Sequence, residues 1–255
     1  MKPDSVVKLI REFKPTHIIN TSAYTAVDKA EIEREAAMQI NAHTVGIIGE
    51  IAKHIDAAVV HYSTDYVFDG LGKTPYLENH PIKPVNYYGQ SKAMGEKNLI
   101  DTGCHAYIFR VSWLYGQYGN NFLKTMLKLS QERPELKIVS DQIGAPTASY
   151  EVAEATIKIL ADSQLRDKSG IYHMPAAGET SWHHFAENII DLAKFKKYKV
   201  ITEAVLPITS DQYISAAKRP KYSVLSHLKL QNAFNVYLPE WQHSFKKVFE
   251  TLPKP

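Results

Sequence analysis

The chain has 255 residues, 44% of them hydrophobic and 22% charged, with a formal net charge of +3, which supplies a buried core and excludes a disordered polyelectrolyte. Its lysines are scattered, and the densest group (Lys194, Lys196, Lys197, Lys199) reads as a solvated face, so a nucleic-acid partner is not expected. One cysteine, Cys104, excludes an internal disulfide and fits the cytoplasm; the start lacks the apolar core of a signal peptide, and no apolar run nears the ~18 residues that cross a membrane.

In chain order, Val6, Val7, Ile10 and Phe13 recur at helical spacing over 4–13. Residues 16–20 form a short apolar run that reads as a strand. A helical region follows over 30–55, with a break expected near Asn41. The run 57–63 is a second strand, and a loop rich in Gly and Pro covers 69–86. Then come a helix over 87–100, a strand over 106–112, a helix over 121–132 and a strand over 136–140. Further on, helices are expected near 149–162, 181–194 and 240–250, with strands near 171–174 and 200–205.

Apolar strands alternating with helices predict an α/β fold with a Rossmann-like, doubly wound parallel sheet. The expected division is a partial dinucleotide-binding domain over 1–148, then a smaller α/β substrate lobe over 149–255, interleaved with the last sheet elements. Ligands of such sheets sit beyond the carboxyl ends of the strands. Here those ends read "NTSAYT", "HYSTDY" and "RVSWLYG", each polar and aromatic after an apolar run.

The stretch "VNYYGQSKAMGEK" (85–97) opens the helix over 87–100, with Asn86 as its cap. Residues four apart share a helix face. Tyr88 therefore stands with Lys92, while Tyr87 stands with Ser91. A neighbouring ammonium favours a phenolate and lowers a tyrosine pKa, which suits proton exchange with a carbonyl or alcohol. Tyr-x-x-x-Lys also occurs where the tyrosine merely packs. The Ser63–Thr64–Asp65–Tyr66 cluster just upstream favours the chemical reading. His183 and His184 are adjacent, make a poor metal pair and come with no spaced ligand set, so no metal is expected. His17 and His61 read as packed histidines.

The segments "NTSAYTAVDKAE" (20–31), "HYSTDYVFDG" (61–70), "YYGQSKAMGEK" (87–97), "SWLYG" (112–116), "GNNF" (119–122), "DQIGAPT" (141–147) and "RPKYSVL" (219–225) resemble the extended short-chain dehydrogenase/reductases. Within them they are most similar to the dTDP-4-dehydrorhamnose reductase family, along nearly all of the chain. The resemblance implies reduction of a nucleotide-linked keto sugar with NADPH or NADH. It implies Tyr88, Lys92 and Thr64 as catalytic residues. Ser22, Ala23, Tyr24 and Tyr62, with Tyr88 and Lys92, would bind the cofactor. Thr64, Asp65, Trp113 and Arg219 would bind the substrate, with Arg219 taking a phosphate. The plain structural alternative for Trp113 is a core residue, and Arg219 reads equally as a surface ion pair. Asn41 reads either as a water relay to Lys92 or as ordinary packing. A homodimer is implied as well.

The family's opening strand, Gly-rich turn and pyrophosphate-binding helix have no counterpart in this sequence, so an open sheet edge is expected at the strand over 16–20. Two other readings keep the fold. One is a non-catalytic protein like the regulatory beta subunit of methionine adenosyltransferase. The other is an epimerase or dehydratase, against which "STDYVFDG" argues.

Overall fold

The computed structural model describes residues 3–162 and 164–253. The chain runs α1 (Pro3–Phe13), β1 (His17–Asn20), α2 (Val27–Ala30), α3 (Arg34–Met38), a π turn (Gln39–His43), α4 (Thr44–His54), β2 (Ala58–Thr64), α5 (Tyr87–Asp101) and β3 (His105–Val111). It continues through β4 (Leu114–Tyr115), α6 (Phe122–Ser130), β5 (Glu135–Val139), β6 (Ile143–Gly144), β7 (Thr147–Ala148), α7 (Ser149–Leu160) and β8 (Gly170–His173). It ends with β9 (Thr180–Ser181), α8 (Trp182–Phe195), β10 (Ala204–Ile208), α9 (Leu228–Phe234) and α10 (Trp241–Thr251).

The main sheet is parallel and four-stranded, in the order β1-β2-β3-β8. Its apolar side chains alternate between two cores, as a strand's period of two requires. On one face Val59, Ala106 and Ile108 pack against Ile10, Val45, Ile48, Ile51 and Leu99 of α1, α4 and α5. On the other, Val60, Tyr107, Phe109 and Tyr172 pack against Val152, Ala155 and Ile159 of α7 and Leu230 of α9. The expected helices and strands thus fold as a covered parallel sheet. β1 is its outer strand, and Ile19 is exposed there. Phe13, read as part of the apolar stripe of α1, is also exposed. His17 is exposed rather than packed, its Nδ1 beside the Thr16 hydroxyl at 3.0 Å.

A second core gathers Leu123, Met126, Leu136, Phe185, Ile189, Trp241, Phe245 and Phe249. It joins α6 and β5 to α8 and α10. β5, which precedes residue 148, pairs in parallel with β10 rather than with the main sheet. β8 and α7, which follow 148, complete the main sheet and its cover. The chain therefore crosses between the two cores more than once. α9 and the two-residue strands β4, β6, β7 and β9 carried no sequence signal, being too short for a period to register. Among the described residues no helix is long and apolar enough to cross a membrane.

Helix α5 sits unusually close to its neighbours. A Cβ on Gly89 would lie 2.2 Å from the Tyr66 carbonyl oxygen, and one on Gly95 would lie 2.0 Å from the Asn41 carbonyl oxygen. Both obstacles are backbone, so neither can swing aside. Gly95→Ala is expected to destabilise the chain by about 2 kcal/mol or more in a urea titration, as overpacking does. Gly46→Ala on α4, whose Cβ would first meet the Asn98 side chain at 3.2 Å, is expected to cost clearly less. Equal losses at the two positions would contradict this account.

Candidate active site

Three loops meet at the carboxyl edge of the sheet: 20–26 after β1, 64–68 after β2 and 112–116 after β3. Asn86 caps α5 as the sequence predicts. Its Oδ1 accepts from the Gly89 N–H at 2.8 Å, and its Nδ2 donates to the Lys218 carbonyl at 2.8 Å. The cap thereby ties the start of α5 to the segment that carries Arg219.

Tyr88 and Lys92 follow in the first turns. The Tyr88 ring meets Tyr66 edge to face, with centroids 5.7 Å apart. Lys92 is 1% exposed. Its Nζ donates to the Tyr62 carbonyl at 2.5 Å and lies 3.3 Å from His61 Nε2. Thr64, the last residue of β2, is buried. Its hydroxyl donates to Asp65 Oδ1 at 2.9 Å and accepts from the Tyr66 N–H at 3.2 Å, which opens the short 3-10 turn Asp65–Val67. The Ser63 hydroxyl is buried and has no partner among the described residues.

Burial dominates the electrostatics. It pushes the Lys92 ammonium down to about 8, against the pull of Glu96. It pushes the Tyr88 phenol up to about 12, with Asp65 adding to the rise and the Thr64 hydroxyl offsetting part of it. The expected lowering of Tyr88 by Lys92 is therefore corrected. In this arrangement the lysine is turned to Tyr62 and His61, and desolvation decides the sign. Asp65 is pushed up to about 6 by burial, with the Ser223 and Thr64 hydroxyls offsetting part of it.

The other expected residues fall in three groups. Ser22, Ala23 and Tyr24 lie on the loop after β1. Ser22 donates from its N–H and its hydroxyl to Asn20 Oδ1, at 3.1 and 2.7 Å. Asn41, in the π turn, accepts from the Tyr24 N–H at 2.8 Å and donates to the Ser91 hydroxyl at 2.9 Å. Its side chain is thus committed to packing this loop onto α5. Tyr62 is separated from the set: its ring belongs to the opposite face of the sheet, and its hydroxyl shares a 2.7 Å hydrogen bond with Thr156. Only its carbonyl reaches Lys92.

Of the substrate-side candidates, Arg219 lines a cavity of about 450 Å³ together with Tyr66, Phe122, Trp182 and Tyr213. Arg219 makes an ion pair with Asp28 at 2.7 Å and still faces the cavity. Trp113 takes a left-handed backbone, φ +45°, and stacks face to face on Trp182, with centroids 3.5 Å apart. Gly144 leaves room for that indole, since a Cβ there would lie 2.4 Å from it. Trp182, Arg133 and Lys137 also line the site. Sequence reasoning missed all three, because each stands on or beside an element of the second core (α6, β5 or α8), whose placement no local motif announces.

Asp65 gives a test with a defined sign. Its folded pKa of about 6 lies above the usual 3.8, so its favourable contribution is present in acid and is lost as pH rises through about 6. Asp65→Asn is expected to be more stable than the parent by about 1–3 kcal/mol at pH ~8 and equal to it near pH ~4. Urea midpoints at the two pH values measure it; a difference independent of pH contradicts it.

With this geometry in view, the chain was compared with known proteins. Residues 1–253 match the family model of the RmlD substrate binding domain. The dTDP-4-dehydrorhamnose reductase of Burkholderia thailandensis is 40% identical over 253 residues, covering 95% of this chain and 84% of that protein. That of Escherichia coli K12 is 39% identical over 251 residues, covering 98% and 84%. Among solved structures, a dTDP-4-dehydrorhamnose reductase of Clostridium acetobutylicum superposes with a TM-score of 0.90 at 36% identity, covering 98% of this chain and 85% of that one. A dTDP-4-dehydrorhamnose reductase of Bacillus anthracis, in complex with NADP, gives 0.88 at 37% identity with the same coverage. The chain belongs to the RmlD substrate binding domain family, in the company of the dTDP-4-dehydrorhamnose reductases.

Proposed function

We propose that this protein reduces the C4 keto group of dTDP-4-dehydro-L-rhamnose to dTDP-L-rhamnose, with NADPH or NADH as the reductant. The observation that carries the reading is the placement of Tyr88, Lys92 and Thr64 together at the carboxyl edge of the parallel sheet, beside an aromatic cavity that also holds cations.

The residues present fit the nicotinamide–ribose end of a reduced dinucleotide. Lys92 keeps an N–H beyond the one it donates to the Tyr62 carbonyl, and the Ser63 hydroxyl is buried without a partner among the described residues. Buried donors of this kind call for an acceptor. Ser22, Ala23, Tyr24, Tyr88 and Lys92 would hold the dinucleotide, which supplies the hydride. Tyr88 Oη–H donates the proton to the C4 oxygen. A phenol pushed up to about 12 is fully protonated at neutral pH, which is the form a reduction consumes. Thr64 orients the keto oxygen, and Asp65 holds Thr64 through the 2.9 Å hydrogen bond. Arg219, with Arg133 and Lys137 in the same cavity, suits the diphosphate. Trp113, braced by Trp182, forms an apolar wall for the sugar. We further propose a homodimer working in the cytoplasm.

Turnover is measured as loss of reduced-nicotinamide absorbance with dTDP-4-dehydrorhamnose, and NADPH binding by fluorescence titration. Tyr88→Phe is expected to lower kcat by about 100-fold or more while leaving the NADPH Kd unchanged. Full activity in Tyr88→Phe would refute the assignment. An unmutated chain that binds the nucleotide sugar without turning it over would favour a binding role instead.

A further inference from the structure

His61 sits in the middle of β2, fully buried, beside Asn20 in the parallel register of β1 and β2. Its surroundings fix which nitrogen carries the proton. Asn20 Oδ1 receives two hydrogen bonds from Ser22, one of them from a backbone N–H, which can only donate. The oxygen of the Asn20 amide must therefore face Ser22. The amide nitrogen, which has only donors, then faces His61 Nδ1 at 3.1 Å. Nδ1 must accept. A neutral imidazole has one N–H, so it lies on Nε2, 3.3 Å from Lys92 Nζ.

An ammonium at Lys92 would meet that N–H with another N–H. An uncharged amine has a lone pair to receive it and still donates to the Tyr62 carbonyl at 2.5 Å. The run Ser22, Asn20, His61, Lys92, Tyr62 is consistent from end to end only in the second case. We infer that His61 is a positioning residue that favours the uncharged form of Lys92 through an Nε2–H to Nζ hydrogen bond, with its tautomer set by Asn20 and Ser22. Its bearing on the reaction rests on the reading of Tyr88 and Lys92 given above.

The other groups around the lysine do not oppose this strongly. On α5, Glu96 attracts a charge on Lys92, but its carboxylate is already held by Arg110 of β3 at 2.9 and 2.7 Å. Tyr88, on the same helix, is kept protonated by burial. From β2 the lysine meets His61 and a carbonyl. From the π turn, Asn41 is occupied with Tyr24 and Ser91. Burial pushes the lysine down in the same direction, to about 8, and keeps the imidazole neutral. Lys92 therefore gives up its proton easily. A ligand hydroxyl that offers Nζ an acceptor would shift it toward the charged form.

The test uses the whole ligand-free chain. Long-range 1H–15N NMR reads the His61 tautomer directly, and 13C-labelled lysine, assigned with Lys92→Met, reads the titration of Lys92. The expected result is a proton on Nε2; a proton on Nδ1 overturns the inference. Asn20→Asp gives Nδ1 an acceptor, and is expected to move the proton to Nδ1 and raise the proton affinity of Lys92 by about tenfold or more. His61→Phe removes the opposing N–H and is expected to raise that affinity too. A fall, as for a lost acceptor, overturns the inference. Should His61→Phe fail to fold, the parent tautomer and Asn20→Asp still decide. Loss of turnover in Tyr88→Phe together with a proton on Nδ1 would sink this inference alone. Retained turnover in Tyr88→Phe with a proton on Nε2 would sink the reductase assignment and leave the hydrogen-bond run standing.

Discussion

Helix α5 carries both members of the central pair, and it reaches the sheet edge only because two of its residues lack a Cβ. At Gly89 the helix touches the Tyr66 carbonyl, and at Gly95 it touches the Asn41 carbonyl. Lys92 lies between these two contacts. The first fixes the helix against the turn that follows β2, where Thr64 and Asp65 stand. The second fixes it against the π turn, whose Asn41 clasps the loop holding Ser22 and Tyr24. A π turn inside a helical run is a common mark of a site. Here it bends the chain so that one side chain reaches both Tyr24 and Ser91. Two of the three loops of the candidate site are thus referenced to one helix.

Charge inside the fold follows the same geometry. Lys92 and Glu96 stand four residues apart on α5, both about 1% exposed. Glu96 is answered by Arg110, equally buried, in a two-pronged ion pair. Such a pair contributes little net stability once desolvation is counted, but removing one partner strands the other. Arg110 also reaches the Glu78 carbonyl at 3.4 Å, and its guanidinium lies over the Phe68 ring at 5.1 Å. The pair therefore sets the register of α5 on β3 and anchors the long loop before the helix. It also engages the carboxylate of Glu96, which attracts a charge on Lys92.

Much of this was readable in the sequence because it is local. Apolar runs gave the strands of the main sheet, and i to i+4 spacing chose Tyr88 over Tyr87 as the partner of Lys92. Asn86 before "YYGQSK" gave the cap, and the break near Asn41 became the π turn. What stayed hidden depends on which strands lie side by side. Tyr62 was grouped with the cofactor residues, yet alternation along β2 sends its ring to the opposite face. β5 looks like any other buried strand, and only its pairing with β10 places it in the second core. Trp182 stacks on Trp113 across nearly seventy positions of sequence. His61 read as a packed histidine, since nothing local says that Asn20 lies beside it.

The three central ionisable groups are all displaced toward their uncharged forms: Tyr88 up, Asp65 up and Lys92 down. A site built to take a proton from an alcohol would need a phenolate, and this burial opposes one. A site built to give a proton to a ketone needs the phenol, which burial preserves. The hydride that reduces a ketone leaves an alkoxide far more basic than a phenolate, so in the proposed role proton transfer from Tyr88 would run downhill even at a raised pKa. In that role Tyr88 would then be reprotonated, and Lys92, once charged beside a ligand hydroxyl, would be a stronger acid for that step than an exposed lysine. Burial of the Tyr88 phenol thus favours the direction of reduction over that of alcohol oxidation.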